Sequence, residues 1–311
     1  MQRIEAGKLL LPFDGSQRSL ETVRHLSAMK PFQRQKVVLF HVFNSVPECY
    51  WDLAKEPKSL KTVVHVRAWE REQRKTIDAT ISKARRILIQ AGFDEASVKV
   101  SIQNRKKGIA RDIVKEAHNG YAAIIIRRRG AGAIRSMVLG SVATKLIEGI
   151  TFAPLLIMGQ QKATGKILIA MDFSDGAMRA LDFVAGHFGN YDYDVHLLHV
   201  IRGNGEITST HPHLTTTQDC LNMALDTIKN VFNEARKRLV AKGFSNNQIS
   251  EEIRTGVFSR AAAIVKVAKE ENFDTIVVGR KGVSRPRSFA IGRVSNKAIH
   301  MGRRLSVWVI N

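Results

Sequence analysis

The sequence has few cysteines and no long apolar run. Only Cys49 and Cys220 occur among 311 residues, and they fall at matching places in the two halves of the chain, so a disulfide between them is not indicated. No apolar stretch approaches the ~18 residues that a membrane-spanning helix needs. The N-terminus lacks the pattern of a signal peptide, because its apolar run is short and Asp14 follows it. These absences predict a protein of the reducing cytoplasm without a membrane span.

The chain also lacks the familiar catalytic and metal-binding motifs. It contains no Walker loop, no His-Glu-x-x-His, no paired cysteines and no Gly-x-Ser-x-Gly. His211 and His213 stand without a third ligand nearby, and His41 and His199 lie in apolar segments where a core histidine is the simpler interpretation. We therefore expect no catalytic residues and no metal site, with slow ATP hydrolysis left open as an alternative.

Acidic residues are scarce relative to basic ones. The chain has 28 Asp+Glu against 49 Lys+Arg, a net charge of +21. Residues 1–160 contribute 28 − 14 = +14, and residues 161–311 contribute 21 − 14 = +7. This balance favours polyanionic partners such as a nucleotide, nucleic acid, the ribosome or an anionic membrane face. The alternative is a solvated basic surface that binds only counterions.

What the chain does contain is an internal repeat. Lys8–Asp14 (KLLLPFD) matches Lys166–Asp172 (KILIAMD), and Ile124–Gly130 (IIIRRRG) matches Ile276–Gly282 (IVVGRKG). The offset between matching positions stays at 151–158 residues. A period of this length indicates duplicated domains, which we place at 1–160 and 161–311 with a short linker, Gly159–Gly165.

Each repeat shows strands alternating with helices. The hydrophobic patterns predict strands near 8–14, 36–43, 98–103, 122–127 and 154–159, then 166–172, 194–201, 249–254, 274–279 and 305–310. Helices are predicted near 17–30, 66–91, 108–118 and 140–149, then 175–188, 217–242, 259–270 and 292–301. Polar connectors at 44–65 and 202–216 are interpreted as flaps over the strand ends. The predicted fold class is α/β, with two tandem, doubly wound, parallel five-stranded sheets.

A glycine-punctuated basic loop follows the fourth strand of the second repeat, in TIVVGRKGVSRPRSFAIGRVS (275–295). Backbone N–H groups where a loop enters a helix form a natural phosphate cradle, and glycines allow the close approach. The loop adds the cations Arg280, Lys281, Arg285, Arg287 and Arg293. The pattern indicates a nucleotide site, and a water-facing basic connection is the alternative.

An aspartate is expected to face this loop. In a doubly wound sheet with strand order 3-2-1-4-5, the ligand crevice lies between the first and fourth strands. The first strand runs into Asp172 and the fourth into Gly279. Asp172 could accept a hydrogen bond from an adenine amino group or a ribose hydroxyl. The alternative role for Asp172 is a favourable charge at a helix N-terminus.

These residues resemble a known family. Gly279-x2-Gly282-x9-Gly292, together with Asp172 and the second-strand sequence LLHV (197–200), is similar to the nucleotide motif of the universal stress proteins, here in tandem. The resemblance covers nearly the whole chain. It implies the 3-2-1-4-5 fold, pairing of domains through their last strands, and ATP binding in some members as a regulatory ligand.

The resemblance also implies site residues and shows where this chain departs from the pattern. The second-repeat set is Asp172, Val200 through its backbone, Gly279, Arg280, Gly282, Gly292, Arg293 and Ser295, where Arg293 replaces the usual Ser/Thr. The weaker first-repeat equivalents are Asp14, Val42, Gly130, Gly140 and Ser141, where Arg127 replaces the leading glycine. We therefore expect a competent second site and a degenerate first one.

The expected function is that of a cytoplasmic stress-response protein that binds ATP in a regulatory role, mainly through its second repeat. A basic factor associated with nucleic acid or the ribosome is the second hypothesis, although no aromatic stacking platform is evident. A homodimer is a further expected partner state. The last strands, 153–159 and 305–310, are expected to pair, with Trp308 near their contact.

Overall fold

The computed structural model describes residues 7–44, 60–128, 139–161, 163–202, 217–282 and 290–311. These residues form two compact units. One unit comprises Glu5–Ala28 and Gln33–Leu146, and the other includes Met29–Phe32 and Ile147–Asn311. The boundary at 146/147 places the last strand of the first repeat in the unit that holds the second repeat.

In the first unit, parallel strands alternate with helices. The strands are β1 (Lys8–Pro12), β2 (Lys36–Phe43), β3 (Val98–Asn104) and β4 (Ala123–Arg127). The helices are α1 (Gln17–Ser27), α2 (Leu60–Gln90), α3 (Ile109–Ala117) and α4 (Ser141–Gly149), the last of which ends beyond the unit boundary. The strand order is β3-β2-β1-β4, with parallel pairing.

The second unit holds the complete sheet of the second repeat. Its strands are β5 (Leu155–Met158), β6 (Lys166–Ala170), β7 (Asp194–Arg202), β8 (Ile249–Val257), β9 (Thr275–Gly279) and β10 (Ser306–Ile310). Its helices are α5 (Asp175–Phe188), α6 (Thr217–Ala241), α7 (Arg260–Glu270) and α8 (Arg293–Met301). The order β8-β7-β6-β9-β10 is parallel. Counted within the repeat it is 3-2-1-4-5, as predicted.

β10 is also paired on its other edge. It runs antiparallel to β5, with Trp308 opposite Leu156. The predicted pairing of the last strands is therefore present within one chain. Because β9 and β5 occupy both edges of β10, this strand offers no free edge to a second copy.

The element boundaries follow local signals in the sequence. Ser16 and Ser174 are N-caps whose side chains accept hydrogen bonds from the N–H groups of Ser19 and Ala177. Gly92 and Gly243 end the long helices with φ of 103° and 102°. Residues that carry a Cβ rarely adopt such backbone angles.

The predicted start of the second helix was wrong. Residues 60–65 were interpreted as part of a flap, but α2 already begins at Leu60. The rest of that connector, 45–59, and most of the other, 203–216, lie outside the described residues.

Trp308 lies in the core of the second unit. It is fully buried, and its ring packs at 5.4 Å from Phe188 and 6.2 Å from Phe32 and Phe183. The sequence predicted a residue near a contact between the halves. The structure makes it the centre of an aromatic cluster, because Met29–Phe32 of the first repeat packs into this unit.

The linker is held by one buried carboxylate. Asp274 Oδ2 accepts hydrogen bonds from the backbone N–H groups of Thr164 and Gly165, at 3.0 Å for the latter, and from the Thr164 hydroxyl. The Asp274 carbonyl also accepts from the N–H of Ser306 at 2.9 Å. Asp274 thus ties the linker to the start of β9 through its side chain and the start of β10 to the same residue through its main-chain carbonyl.

Candidate functional site

The candidate site lies where the strand order of the second repeat reverses. β6 is bordered by β7 on one side and by β9 on the other. The chain leaves β6 towards Asp172 and leaves β9 at Gly279. Connections diverge to opposite faces of the sheet at such a point and leave a crevice at the carboxyl edge.

Asp172 faces the glycine loop across this crevice. A Cβ placed on Gly282 would stand 2.6 Å from Asp172 Oδ2. The other oxygen, Oδ1, accepts hydrogen bonds from the Ser174 N–H at 2.9 Å and from the Ser174 hydroxyl. The predicted apposition of aspartate and glycine loop is therefore confirmed. Through Oδ1, Asp172 also supports the turn into α5, and its role as a charge at the helix N-terminus stays the alternative.

The two ends of the glycine loop are held together. The Gly292 N–H donates to the Arg280 carbonyl at 2.8 Å, and a Cβ on Gly292 would stand 3.1 Å from that oxygen. The first repeat has the same closure, from Gly140 N–H to the Arg128 carbonyl at 2.7 Å. The middle of the second loop, 283–289, with the predicted cations Arg285 and Arg287, lies outside the described residues.

α8 begins directly after the loop and has an electropositive start. Its N-cap, Gly292, supplies no side-chain acceptor, and its first turn has no acidic residue. Arg293 is exposed at the first helical position, and Lys281 is half-buried beside the loop. Uncapped N–H groups and the helix dipole attract anions at such a terminus.

Gly279 is required by packing against α5. A Cβ on Gly279 would stand 2.6 Å from the carbonyl carbon of Gly176 and 3.0 Å from the Ala177 nitrogen. A Cβ on Gly176 would in turn stand 2.8 Å from the Lys281 carbonyl oxygen. The first turn of α5 and the end of β9 can therefore approach only because both positions are glycine.

Arg280 does not face the crevice in the way the sequence suggested. Its side chain is buried and donates to the carbonyls of Ile147 at 3.0 Å, Ile150, and Ala290 at 3.2 Å. It also donates to the Asn311 side chain. Burial lowers the pKa of this guanidinium to about 10. The prediction of a ligand-binding Arg280 side chain is corrected, because these internal carbonyls occupy its donors.

Ser295 and Val200 are likewise engaged within the protein. The buried Ser295 hydroxyl donates to the Gly279 carbonyl at 2.7 Å, so it stabilises the junction of β9 and α8. This corrects its predicted role as a phosphate-binding hydroxyl. The Val200 carbonyl accepts a hydrogen bond from Arg260 Nε at 3.2 Å. If adenosine bound to this carbonyl, as predicted, it would share the oxygen with Arg260.

The equivalent position in the first repeat is filled by charged side chains. Arg127 replaces Gly279, and its Nη2 forms a 2.6 Å ion pair with Glu21 Oε2 on α1. Arg18 stands where the second repeat has Gly176. Burial lowers the pKa of the Arg127 guanidinium, and the nearby Arg18 lowers it further while Glu21 raises it. The close approach of two glycines is thus replaced by two arginines and a glutamate.

Of the other predicted first-repeat residues, Asp14 keeps the turn contact seen in the second repeat. Asp14 Oδ1 accepts from the Ser16 N–H at 3.0 Å, as Asp172 does from Ser174. Val42 is buried in β2, and Ser141 is exposed at the start of α4. Gly130 lies outside the described residues.

The sequence analysis missed two exposed aromatic side chains at the carboxyl ends of strands, of which Phe173 lies next to Asp172. Phe173 follows Asp172 and is 49% exposed, with its ring 5.6 Å from that of His199. Phe258 comes one residue after β8 and is 89% exposed. The sequence did contain a signal for them, because each phenylalanine lies between the end of a strand and a serine N-cap. A large apolar residue is unusual at such a solvated position. The first repeat has Gly15 and Lys107 at the equivalent positions.

The strand histidines are structural, as predicted. His41 Nδ1 lies 2.7 Å from the Phe13 carbonyl, and His199 Nδ1 lies 2.9 Å from the equivalent Met171 carbonyl. Burial lowers the pKa of His199. No group of three or more His, Cys, Asp or Glu that could hold a metal is found in the part of the chain that the structure describes. His211 and His213 lie outside it. No helix in the described ranges is long and apolar enough to span a membrane.

Comparison with known proteins places the chain in a family. A model of the universal stress protein family matches residues 5–157 and again 164–309. A universal stress protein of Synechocystis sp. is 24% identical over 255 residues, covering 81% of this chain and 77% of that protein.

Solved structures show the same fold over the full length. A universal stress protein from Archaeoglobus fulgidus superposes with a TM-score of 0.63 at 19% identity, covering 99% of both chains. A functionally unknown protein from Pseudomonas aeruginosa superposes with a TM-score of 0.55 at 17% identity, covering 98% of this chain and 92% of that one. With two copies of the family's domain in sequence and the fold to match, the chain belongs to the universal stress protein family of stress-response proteins.

Proposed function

We propose that the second repeat binds an adenine nucleotide, ATP, as a regulatory ligand in the cytoplasm. The observation that carries the proposal is the position of Asp172 Oδ2 beside the backbone of Gly282. A carboxylate acceptor and a loop without a Cβ meet there at the switch point of the sheet. A Cβ on the loop would fill the space that a ligand needs.

The phosphates would lie along the glycine loop and the start of α8. Gly292 joins the two loop ends and leaves the first turn of α8 without a side-chain cap. Arg293 is exposed and Lys281 half-buried at this end. Backbone N–H groups cradle phosphate oxygens, and the two cations add long-range attraction.

The adenosine would lie on the Asp172 side of the crevice. Asp172 can accept from the ribose hydroxyls or the adenine amino group, since Ser174 engages the other oxygen. The half-exposed Phe173 ring offers an apolar face beside this acceptor. Aromatic stacking of a base contributes ~1–3 kcal/mol in proteins that use it.

A regulatory role suits this arrangement better than catalysis. Asp172 is the carboxylate that lies beside the glycine loop, and the Ser174 hydroxyl and N–H already bind its other oxygen. A carboxylate held in this way is placed to accept hydrogen bonds from a ligand. Binding would bring the negative charge of the phosphates to the glycine loop and thereby alter the surface offered to partners.

The decisive experiment compares Asp172→Asn with Asp14→Asn in the full chain. Both aspartates accept from the N–H of the serine two residues later, at 2.9 and 3.0 Å. Asp172 also accepts from the Ser174 hydroxyl, so thermal melting of both variants accompanies the titrations and measures their structural cost. Isothermal titration calorimetry with ATP should give a Kd raised ~10-fold or more for Asp172→Asn, because a charge-assisted hydrogen bond is lost. Asp14→Asn should bind like the parent protein.

Several results would contradict the proposal. Equal weakening by both variants would show that the effect is not local to the second repeat. An absence of ATP, ADP and AMP binding in the parent protein would remove the ligand altogether. Tighter binding of GTP than of ATP would reject the adenine preference.

A further inference from the structure

The first unit carries an exposed basic loop at the carboxyl end of β3. We call Arg105, Lys106 and Lys107 the basic loop. All three are exposed, and none of them takes part in an ion pair within the described ranges. Arg111, also exposed, follows in the first turns of α3. Four cations within seven residues thus lie at one edge of this unit.

A buried carboxylate holds the basic loop in place. Asp112 is 3% exposed, and its oxygens accept from the backbone N–H groups of Lys106 at 2.8 Å, Lys107 at 3.1 Å and Gly108 at 3.4 Å. The Arg105 N–H donates to the Phe43 carbonyl at 2.8 Å. Asp112 thus binds the backbone of the loop from inside, while the side chains of Arg105, Lys106 and Lys107 are exposed.

A further cation borders the loop. Arg74 Nη2 donates to Asn104 Oδ1 at 3.1 Å, and its guanidinium lies 4.3 Å from the centre of the Phe43 ring. Asn104 and Phe43 are the last residues of β3 and β2. Arg74 therefore lies directly beside the basic loop, and its partner Glu70 stands 3.6 Å away.

The helix that carries Arg74 extends beyond this edge. The 15 residues from Leu60 to Arg74 span ~21 Å, at 1.5 Å for each of the 14 steps between them. Between Val64 and Arg74 only Val66 and Glu70 are not exposed. The basic loop and this exposed helix together form a long, open surface.

The second repeat has no counterpart of the basic loop. Lys106 and Lys107 correspond there to Val257 and Phe258, and a serine cap, Ser259, replaces Gly108. The first repeat has also lost the close glycine contact at its nucleotide position, where Arg127 pairs with Glu21. The two repeats thus differ at the same edge, with an apolar residue in one and cations in the other.

We propose that the basic loop, with Arg74 and Arg111, is a docking surface for the phosphate backbone of nucleic acid. The spacing of the exposed cations favours contacts to successive phosphates rather than to one small anion. An anionic membrane fits less well. Exposed Val64 and Trp69 lie five residues apart, ~140° around the helix, so they form no continuous apolar stripe for insertion.

The test is binding of the full chain to fluorescein-labelled oligonucleotides, followed by fluorescence anisotropy. A 20-nucleotide single-stranded RNA and a 20-base-pair DNA duplex distinguish the two sources of the same backbone. Lys106→Glu with Lys107→Glu should raise the Kd tenfold or more at 100 mM NaCl. The slope of log K against log salt should become shallower by ~1.4 on the single strand, at ~0.7 per lost phosphate contact.

The matched control is Lys83→Glu with Lys99→Glu. Both lysines are exposed in the same unit, further along α2 and near the start of β3, and the change in net charge is the same. The control should bind nearly as well as the parent protein. Circular dichroism and thermal melting establish that both variants fold.

The proposal would be overturned by equal weakening in the control, which would indicate net charge alone. It would also be overturned if neither oligonucleotide bound, or if vesicles containing phosphatidylserine bound in a basic-loop-dependent way while the oligonucleotides did not. ATP affinity should be unchanged in the basic-loop variant, because the proposed nucleotide crevice belongs to the other unit.

Discussion

Replacing Gly279 and replacing Gly282 should have different effects, the first on stability and the second on ligand binding. Gly279→Ala would place a Cβ 2.6–3.0 Å from three backbone atoms of Gly176 and Ala177. Gly282→Ala would place a Cβ 2.6 Å from one side-chain oxygen of Asp172, with its other near neighbour in that carboxylate at 3.9 Å. A backbone obstacle can be relieved only by moving β9 or α5, whereas a carboxylate can rotate away.

The expected magnitudes follow from that difference. Overpacking against backbone costs ~1–3 kcal/mol in free energy of unfolding, and alanine recovers at most ~1 kcal/mol through reduced entropy of the unfolded chain. For a unit of this size each kcal/mol corresponds to ~2–4 °C in Tm. Gly279→Ala should therefore lower the Tm by a few degrees. Gly282→Ala should stay within ~0.5 kcal/mol of the parent protein, yet it should displace Asp172 and weaken ATP binding ~10-fold or more.

The assays are thermal melting, urea unfolding and calorimetric ATP titration on the same three proteins. Gly282→Ala tests the ligand role with the fold intact, and Gly279→Ala tests the packing role. A Gly279→Ala variant as stable as the parent would show that β9 and α5 are not in rigid contact. A Gly282→Ala variant with unchanged ATP affinity would show that the ligand does not approach this loop.

Three further outcomes are expected. Trp308→Ala should lower the free energy of unfolding by ~3–5 kcal/mol, because a fully buried ring 5.4 Å from Phe188 is lost; an unchanged urea midpoint would contradict the core position. Asp274→Ala should speed proteolysis within 160–165, since the N–H of Thr164 loses its acceptor; cleavage at the parent rate would refute the anchoring role. Burial lowers the pKa of His199, so between its folded pKa and ~6.5 the unfolded chain binds more protons and stability falls as pH drops. His199→Gln should therefore lose less stability than the parent between pH 7.5 and 5.5. Equal losses in the two proteins would exclude this histidine as a source of the pH dependence.

Much of the fold was predictable because its signals are local. The helix predicted over 175–188 begins and ends where the structure has it, with Ser174 as its cap. The strand predicted over 36–43 likewise matches β2. Alternating patterns, caps and repeat symmetry act over a few residues, so they survive without knowledge of the tertiary structure.

The candidate site was predictable only in its backbone. Topology requires the end of β6 and the end of β9 to be neighbours, so Asp172 had to lie near the glycine loop. The directions of side chains did not follow from the same rule. Arg280 turns inward to the carbonyls of Ile147 and Ile150, more than 100 residues away in sequence.

The sequence by itself determined a duplicated α/β chain with an aspartate and a glycine loop at one switch point, since spacing and periodicity are properties of the order of residues. Only the tertiary structure decided which polar groups remain for a ligand. Ser295 and Arg280 satisfy internal carbonyls, whereas the cations of the basic loop are left exposed because Asp112 supports their backbone from within. The physical reason is that a buried donor or acceptor must find a partner. Which partner it finds depends on distant segments of the chain that the fold brings together.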